Sequence, residues 1–215
     1  DGCTSLASVT IPESVTKIVR SPGPVLMRAF SGCKSVESIV VAEGNPVYDS
    51  REGCNAIIET RTNTLFYGCK STIIPESVKA IGDWAFAGCT SLESIVIPKG
   101  VTMIGNSAFE DCTSLREITI PEGVTEIQHV TFGGCTSLAS VTIPESVTKI
   151  RTQVFKDCTS LESVVVAEGN PVYDSREGCN AIIETETNTL IASCKTTFIP
   201  ESVTTIGQYA FSGCT

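Results

Sequence analysis

Apolar residues recur along this chain with a period of 23 residues. The clearest marks of the period are Cys89, Cys112, Cys135 and Cys158, each of which lies 23 positions after the one before. Between them runs one pattern, C-T-S-L-x-x-I/V-x-I/V-P-x-G/S-V-T-x-I-x-x-x-x-F. Because a coil of this length cannot enclose its own apolar side chains, the pattern predicts that successive coils stack and share one continuous core.

One coil divides into two short extended segments and a turn. In the coil that begins at Cys89, Ile95 and Ile97 alternate with variable residues, which is the period of a strand, and Pro98 ends the pairing since it has no backbone donor. We therefore expect one short parallel strand in every coil. The following Val-Thr-x-Ile predicts a second extended segment, and the stretch up to Phe109 predicts a single helical or 3₁₀ turn. This repeat length predicts a leucine-rich-repeat solenoid, mostly β.

A longer repeat is superimposed on the short one. Residues 40–60 (VVAEGNPVYDSREGCNAIIET) recur unchanged at 165–185, an offset of 125, whereas CTSLASVTIPESVTKI recurs from 3–18 to 135–150, an offset of 132. The difference of seven residues predicts one insertion in the first copy, within residues 19–28. We interpret residues 1–215 as a single solenoid that contains two copies of a cassette of about 125 residues.

Each cassette contains one irregular unit, at about residues 42–70 and 167–195. In both units two β-prone runs flank a polar turn (NAIIET-RTN-TLFYGCK and NAIIET-ETN-TLIASCK), which predicts a β-hairpin. We expect the two hairpins to project from the stack or to cap an edge of it.

The loop before each hairpin is rich in turn-forming residues with side-chain oxygens. These oxygens could hold calcium, but their spacing fits no EF-hand, so turn formation is the favoured interpretation. The tyrosine beside them, Tyr48 in the first copy and Tyr173 in the second, is expected to pack on the coil. The oxygen-bearing residues are Asn45, Asp49, Ser50 and Glu52, repeated as Asn170, Asp174, Ser175 and Glu177.

Eleven cysteines are spaced too regularly for a disulfide framework. Equivalent Cβ atoms of stacked coils stand about 4.8 Å apart and point the same way, whereas disulfides need Cβ atoms at roughly 3.5 to 4.5 Å that face each other. The close cysteine pairs of zinc sites are absent from the sequence. We expect a column of buried thiols that act as small apolar side chains. Cys54 and Cys179 fall outside this column, and a disulfide to Cys69 or Cys194 remains open for them.

The net charge of the chain limits the kinds of partner it can bind, and its two ends indicate how it is organised. Fifteen basic and twenty-four acidic residues give a formal net charge of −9, which disfavours nucleic acid and anionic membranes. No apolar stretch approaches the ~20 residues of a membrane-spanning helix. The chain begins and stops within a repeat, without a polar capping coil, so we expect a piece of a longer array whose exposed end coils favour end-to-end stacking.

The motif GCTSLxSVTIPESVTxIGxxAFxGC, visible in parts at residues 69–89 and 194–214, resembles the BspA-like leucine-rich-repeat family of bacterial and protist surface proteins. The resemblance covers essentially the whole chain, and the GNPVYDS and NAIIET units resemble a longer repeat variant of that family. It implies a secreted or cell-surface protein that is curved and elongated. It also implies adhesion to other cells or to host matrix proteins such as fibronectin and fibrinogen.

The outward positions of the strands are the candidate binding surface. In the pattern Leu-x-x-Ile-x-Ile the residues between the buried ones face out, so successive coils present one strip. The alternative is that these small and β-branched residues serve the sheet alone. Because the strip lacks aromatic anchors, we expect low affinity per coil and binding that depends on multivalency. The strip comprises Glu93, Ser94, Val96, Arg116, Glu117, Thr119, Ser140, Thr142, Glu162, Ser163 and Val165.

The insertion is a second candidate for partner binding. It places three apolar residues, Val25, Leu26 and Met27, after a Pro-Gly-Pro sequence, where the regular coils need no residue at all. The alternative is a loop that is tolerated at a coil corner or that folds back on the stack.

The residues give little support to catalysis. The single histidine, His129, lies at a variable position, and a Cys–His nucleophile would require a thiol drawn out of the core beside it. Gly-rich phosphate loops are absent from the sequence, so we expect no cofactor. The sequence therefore favours a non-enzymatic protein–protein interaction module of a surface adhesin. A structural spacer with no ligand of its own is the alternative.

Overall fold

The computed structural model describes residues 5–19 and 35–214, which form a stack of coils built from short strands and turns. In these ranges the helices are two single 3₁₀ turns, Arg51–Gly53 and Arg176–Gly178. The predicted leucine-rich-repeat architecture, mostly β, is confirmed. The strands of the described residues are β1 (Ser8–Ile11), β2 (Ser38–Val41), β3 (Tyr48–Asp49), β4 (Ala56–Glu59), β5 (Thr64–Gly68), β6 (Ala80–Ile81), β7 (Met103–Ile104), β8 (Glu126–Ile127), β9 (Ser140–Ile143), β10 (Lys149–Ile150), β11 (Ser163–Val166), β12 (Tyr173–Asp174), β13 (Ala181–Glu184), β14 (Thr189–Ser193) and β15 (Thr205–Ile206).

One side of the stack carries strands that follow the predicted interval of 23 residues. β6, β7, β8 and β10 pair in parallel, so that Ile81, Ile104, Ile127 and Ile150 stand side by side. These strands are the Val-Thr-x-Ile segments of successive coils, and their prediction is confirmed. Each isoleucine packs on the isoleucine at the same position of the next coil. This contact explains why the repeat has isoleucine at this position in every coil.

The strand predicted within Leu-x-x-Ile-x-Ile is paired only in parts of the stack. β1 pairs with β2 and β9 with β11, both in parallel. Residues 95–97 and 118–120 belong to no strand, and the nearest pairing is an isolated bridge between Glu117 and Ser140. The expectation of one strand in every coil is therefore wrong for these coils. They are joined on the other side by β6, β7 and β8, and they separate here because pairing on one side does not fix the spacing on the other.

Both irregular units form the predicted hairpins, but the hairpins do not project. β4 pairs antiparallel with β3 and with β5, and β5 then pairs in parallel with β6, so the hairpin joins the main sheet. The second unit repeats this order in β12, β13, β14 and β15. Of the two expected placements, projection is wrong, because the hairpin is apolar on both faces, whereas placement at an edge agrees with the structure, since β3 and β4 form the end of the seven-stranded sheet. Ile57, Ile58 and Leu65 are all fully buried, so the unit takes the place of a coil inside the stack.

The segments that lead to each phenylalanine are series of turns, not the helical turn expected from the sequence. Trp84, Ser107 and Val130 occupy equivalent positions and have φ values of 55°, 51° and 56°, which a right-handed helix does not contain. Backbone N–H groups in these segments donate to the next coil, as Phe109 N does to Thr131 O at 2.9 Å. Other N–H groups keep a bond within the turns, as Glu110 N does to Ser107 O at 3.1 Å, so the segment is held both internally and along the stack.

The phenylalanines of four coils form one buried column. Ring centroids are 5.2 Å apart between Phe86 and Phe109, 5.8 Å between Phe109 and Phe132, and 5.9 Å between Phe132 and Phe155. The rings of each pair lie within 13° of parallel. The prediction that like residues stack in columns within a shared core is confirmed.

The cysteines of the short repeat form a second column. The thiol of Cys112 donates to the carbonyl of Phe86 at 3.2 Å, and in the next coil the thiol of Cys135 donates to the carbonyl of Phe109 at the same distance. Both cysteines are fully buried. The prediction of a column of buried thiols is confirmed, and each thiol adds a weak hydrogen bond between coils.

The remaining question about the cysteines concerns the two outside the column. All nine cysteines in the described ranges are free thiols, Cys54 and Cys179 among them. The thiol of Cys54 faces the carbonyl of Ala56 at 3.8 Å, and that of Cys69 faces the carbonyl of Asn55 at 3.5 Å. The disulfide that the sequence left open is therefore not formed in this structure.

Buried side chains connect most of the described coils. One apolar cluster extends from Cys54 to Cys194, and two smaller clusters lie beside it. The interpretation of residues 1–215 as one solenoid made of two cassettes stays a prediction.

Candidate protein-binding surface

The outward positions of the Leu-x-x-Ile-x-Ile segments form a column along the stack. Ile73, Val96, Thr119, Thr142 and Val165 follow one another at intervals of 23 residues, and all five are exposed. Ile73 is 76% exposed and Val96 84%, although both are large apolar residues. The sequence did not single out Ile73, because its coil follows the irregular hairpin. Exposed apolar side chains at one repeat position form a contact strip that the core does not require.

The residues named from the sequence lie on this surface. Their exposure agrees with the prediction, and their role in binding stays a prediction. Ser163 is half-buried, and the insertion residues Val25, Leu26 and Met27 lie outside the described residues. The exposed candidates are Glu93, Ser94, Val96, Arg116, Glu117, Thr119, Ser140, Thr142, Glu162 and Val165.

A groove of about 790 Å³ opens on this surface between two successive coils. The coils meet at both ends of it. At one end Arg116 N donates to Glu93 O at 3.1 Å, and at the other a Cβ on Gly123 would stand 3.0 Å from Val101 O. The two coils therefore stay in contact at both ends of the groove. It is lined by residues 94–99 and 117–122, with Glu76 at the rim.

The walls of the groove present unpaired backbone groups. Residues 94–97 and 118–120 are all described, and none of their N–H or C=O groups is bonded across the groove to the opposite wall. Two coils further along, β9 and β11 pair along all four residues of each strand. The walls therefore have the hydrogen-bonding character of free sheet edges.

The floor of the groove is apolar and its rim is acidic. The residues that line the groove include three glutamates, Glu76, Glu117 and Glu122, and one lysine, Lys99. Because all four side chains are exposed, the rim carries an excess of negative charge. The floor consists of the side chains of Ile95, Ile97, Ile118 and Ile120.

One candidate residue already has a partner within the chain. The carboxylate of Glu162 accepts a hydrogen bond from Lys195 Nζ at 2.6 Å, and Glu37 pairs with Lys70 at 2.6 Å in the first cassette. The hydrogen bond from Lys70 and its charge lower the pKa of the Glu37 carboxyl. Each pair links the strip to the hairpin unit of its cassette, so Glu162 is less available to a partner than Glu93.

The loop oxygens that could have held calcium are used by the fold. Asn170 Nδ2 donates to the carbonyls of Pro144 and Val147, both at 2.9 Å, and its Oδ1 accepts from two backbone N–H groups of its own loop at 2.9 and 2.8 Å. Asn45 makes the same four bonds in the first cassette. The asparagine thus fastens the loop to the turn of the preceding coil. The sequence marks it only as a turn residue, and the repeated Gly-Asn-Pro was the signal for this contact.

The acidic residue of the same loop binds an arginine. Arg176 Nη2 donates to Asp174 Oδ2 at 2.6 Å, and Arg176 Nη1 donates to Asn188 Oδ1 at 2.8 Å in the hairpin turn. Burial acts to raise the pKa of Asp174, but the hydrogen bonds and charge of Arg176 outweigh it and hold the pKa below its usual value. The interpretation of these residues as turn formers is confirmed.

The tyrosines of the two loops pack on the coil as expected. Tyr48 and Tyr173 are buried. The hydroxyl of Tyr48 accepts a hydrogen bond from Ile18 N, and that of Tyr173 from Ile150 N, both at 3.1 Å. Each hydroxyl therefore supplies a bond to the coil before its loop.

The chemistry around the histidine does not assemble a nucleophile. His129 is exposed, and its Nδ1 lies 3.0 Å from Thr152 Oγ1. Burial raises the pKa of Cys89 and of Cys158 to about 12, so neither thiol is a reactive thiolate. Within residues 5–19 and 35–214, no group of three or more His, Cys, Asp or Glu side chains is placed to hold a metal ion. The helices of these ranges are also too short and too polar to cross a bilayer.

Comparisons with known proteins agree with the fold. The family model of the BspA-type leucine-rich repeat region matches in six copies, over residues 1–47, 59–175 and 182–215. A leucine-rich cell surface protein from Faecalibacterium prausnitzii is 27% identical, with a TM-score of 0.64 over 97% of this chain and 46% of that one. No curated protein matches the chain.

Two further solved structures share the fold. The pneumococcal vaccine antigen PcpA is 20% identical, with a TM-score of 0.63 over 96% of this chain and 52% of that one. A leucine-rich-repeat protein from Eubacterium ventriosum is 22% identical, with a TM-score of 0.63 over 97% of this chain and 59% of that one. The chain thus spans about half the length of these relatives. From its sequence and its fold, the chain belongs to the BspA-type leucine-rich repeat family.

Proposed function

We propose that this chain is a non-enzymatic, protein-binding module of a secreted or cell-surface adhesin, which contacts host matrix proteins or other cells through its repeat surface. The observation that carries the proposal is the exposed column, in which Ile73 and Val96 are apolar side chains that the core does not use. Membership of the family and the cell-surface description of the Faecalibacterium relative support it. Fibronectin and fibrinogen are the candidate partners that the family resemblance supplies.

The residues beside the column favour recognition of a particular partner. At one repeat position the successive coils carry Glu93, Arg116, Ala139 and Glu162, all exposed, so the charge changes from coil to coil. A position that served the sheet alone would not need this variation. The net charge of −9 directs the chain towards partners with basic surfaces. Affinity per coil is low, since aromatic anchors are lacking, and the array gains by multivalency.

Retention of the chain on immobilised partners tests the proposal. The complete 215-residue chain is passed over immobilised fibronectin, fibrinogen and epithelial cells, together with the double variant Ile73→Glu/Val96→Glu. Both residues are exposed, so the variant keeps the fold. The matched control is Met103→Glu, an exposed apolar residue in β7 on the other side of the stack. We expect retention of the wild type and of the control, and loss with the double variant. Failure of the wild type to bind any of the three surfaces contradicts the proposal.

A structural spacer is the second candidate function. It is favoured by the two cassettes, which repeat the same contacts, such as the four hydrogen bonds of Asn45 and of Asn170. A spacer tolerates removal of one cassette of about 125 residues, residues 40–164, because only its length changes. Loss of adhesion in that deletion, with a folded remainder, rejects the spacer.

A further inference from the structure

We propose that the groove between residues 94–99 and 117–122 binds a short extended segment of a partner protein as an added β-strand, and that this segment carries lysine or arginine next to apolar residues. The inference rests on the proposed protein-binding function and names the kind of segment that the surface recognises.

The backbone of the two walls is the first reason. Residues 94–97 and 118–120 run in the same direction, and by the alternation seen where Ala167 N donates to Ile143 O, the backbone groups of Ile95, Ile97 and Thr119 face the groove, without partners in other coils. A strand laid between them gains hydrogen bonds from both walls, which is how extended peptides bind sheet edges. At about 3.3 Å per residue the walls accommodate roughly four residues. Because the coils meet at both ends of the groove, the segment enters from the solvent side and leaves at both ends, as the tip of a loop does.

The floor of the groove determines which side chains of the bound segment can face inward. Successive residues of a strand point to opposite faces, so every second side chain of the bound segment meets the isoleucine floor. Ile118 and Ile120 are slightly accessible to solvent, whereas Ile143, which is equivalent to Ile120 in a paired strand, is fully buried. Apolar side chains at alternate positions of the segment cover this surface. The other side chains lie beside Val96 and Thr119.

The charge of the rim sets the outward side chains. Glu76, Glu117 and Glu122 outnumber Lys99, so a lysine or arginine on the segment is attracted to the rim. The aliphatic stem of such a residue also covers the exposed Val96. A second copy of this chain is a poor occupant, because its net charge is −9 and its sequence contains no run of basic residues. The groove therefore fits a partner of the opposite charge.

Peptide binding tests the mode of recognition. The probe is a fluorescein-labelled octapeptide of alternating valine and lysine, titrated with the complete chain and followed by fluorescence polarisation. We expect saturable binding that weakens with salt. Methylation of alternate backbone nitrogens removes donors from the peptide and is expected to weaken binding about tenfold. A valine–glutamate octapeptide is expected not to bind. Absence of saturable binding, or equal binding of the methylated peptide, overturns the proposal.

Variants of the chain test the location. Thr119→Pro removes an N–H group that faces the groove and has no partner in the chain, so it blocks pairing there without breaking a bond of the fold. Thr119→Val retains the N–H group and introduces the residue that the preceding coil carries, Val96. Thr142→Val changes the same column where the strands are already paired. We expect Thr119→Pro to lose peptide binding at an unchanged unfolding temperature and the other two variants to bind as the wild type does. Full peptide binding by Thr119→Pro overturns the proposal.

Amide hydrogen exchange of the wild type provides a test that needs no variant. Bound peptide is expected to slow exchange at Ile95, Ile97 and Thr119, because their N–H groups gain partners, and to leave β9 and β11 unchanged. Exchange that is equally fast at these three residues with peptide bound overturns the added strand, even if Thr119→Pro fails to fold.

The experiments can contradict either proposal without contradicting the other. If the chain adheres to a matrix protein or to cells, and Thr119→Pro adheres equally well, the groove proposal is overturned and the adhesin function stands. If the peptide binds the groove as expected and none of the immobilised surfaces retains the chain, the adhesin function is overturned and the groove stands.

Discussion

The ring of Phe86 fills the space that a side chain on Gly68 would need, since a Cβ on Gly68 would stand 2.2 Å from Phe86 Cε1. Gly68 ends β5 of the hairpin, and Phe86 begins the column of stacked rings. In the second cassette, 125 residues later, Ser193 and Phe211 take these two positions. Ser193 Oγ donates to Ala210 O at 2.6 Å there. The lack of a side chain at Gly68 therefore leaves the ring of Phe86 its room in the core.

We expect Gly68→Ala to destabilise the fold by about 1 to 3 kcal/mol, because the added methyl group forces Phe86 out of its place in the column. The free energy of unfolding in urea measures the loss. The matched control is Gly88→Ala: Gly88 has a φ of +77° and free space around its Cβ position. That variant costs about 1 kcal/mol of backbone strain and leaves the rings in place. Wild-type stability of Gly68→Ala contradicts the role assigned to this contact.

Removal of the Asn170 side chain, which fastens the loop to the preceding coil, is expected to lower the free energy of unfolding more than removal of another half-buried asparagine side chain. Asn170→Ala deletes four hydrogen bonds and leaves the carbonyls of Pro144 and Val147 without these donors, so we expect a loss of about 2 to 4 kcal/mol. Asn106→Ala is the control, because its side chain makes one hydrogen bond, to Asp83 at 3.2 Å. Urea unfolding of both variants measures the difference. Equal losses would show that the loop is held by other contacts.

The columns could be predicted from the sequence, whereas the placement of the hairpins and the groove could not. A period of 23 residues places every residue over its copy, so the stacked rings and thiols follow directly from the pattern. The two adjacent isoleucines Ile57 and Ile58 indicate burial on both faces, but the strand pattern alone does not say which element covers each face. Residues 95–97 and 141–143 have the same pattern, yet only the second segment is paired. Pairing here depends on the spacing of neighbouring coils on this side of the stack, which the pairing of β6, β7 and β8 on the opposite side does not fix.

Relief of backbone strain at Val130 is expected to stabilise the chain. Val130 has a φ of 56°, a left-handed conformation that a β-branched residue adopts only under strain. Asparagine tolerates this conformation, so Val130→Asn should raise the free energy of unfolding by about 1 kcal/mol. Gln153 occupies the equivalent position with a φ of 61°. Gln153→Val should therefore lower the free energy of unfolding by a similar amount. Thermal unfolding of the two variants checks the opposite signs, and shifts in the same direction contradict the explanation.

Acid is expected to weaken the contact between the loop and Arg176. The pKa of Asp174 is held below its usual value of 3.8, against the effect of burial, by the hydrogen bonds and charge of Arg176. Because the pKa is lower in the folded chain, the carboxylate contributes its full stabilisation when the pH is above the pKa of the unfolded chain. That stabilisation is lost as the pH falls through the pKa of the folded chain. We therefore expect stability to decline below about pH 4. The stability of the Asp174→Asn variant should decline less steeply as the pH falls, as measured by the urea midpoint of unfolding across the acid range. Parallel curves for the variant and the wild type contradict this linkage.

Alkylation of the thiol column should report on the opening of the stack. Burial raises the pKa of Cys158 to about 12 and also raises the pKa of Cys135, and both side chains are buried, so at about pH 8 neither thiol is appreciably ionised or accessible to the reagent. With iodoacetamide, followed by peptide mass spectrometry, we expect both cysteines to stay unmodified in the folded chain and to react in urea. Gly68→Ala should accelerate the reaction in proportion to its lost stability, because modification requires the coils to separate. Rapid and complete modification of the folded wild type would contradict the burial of the column.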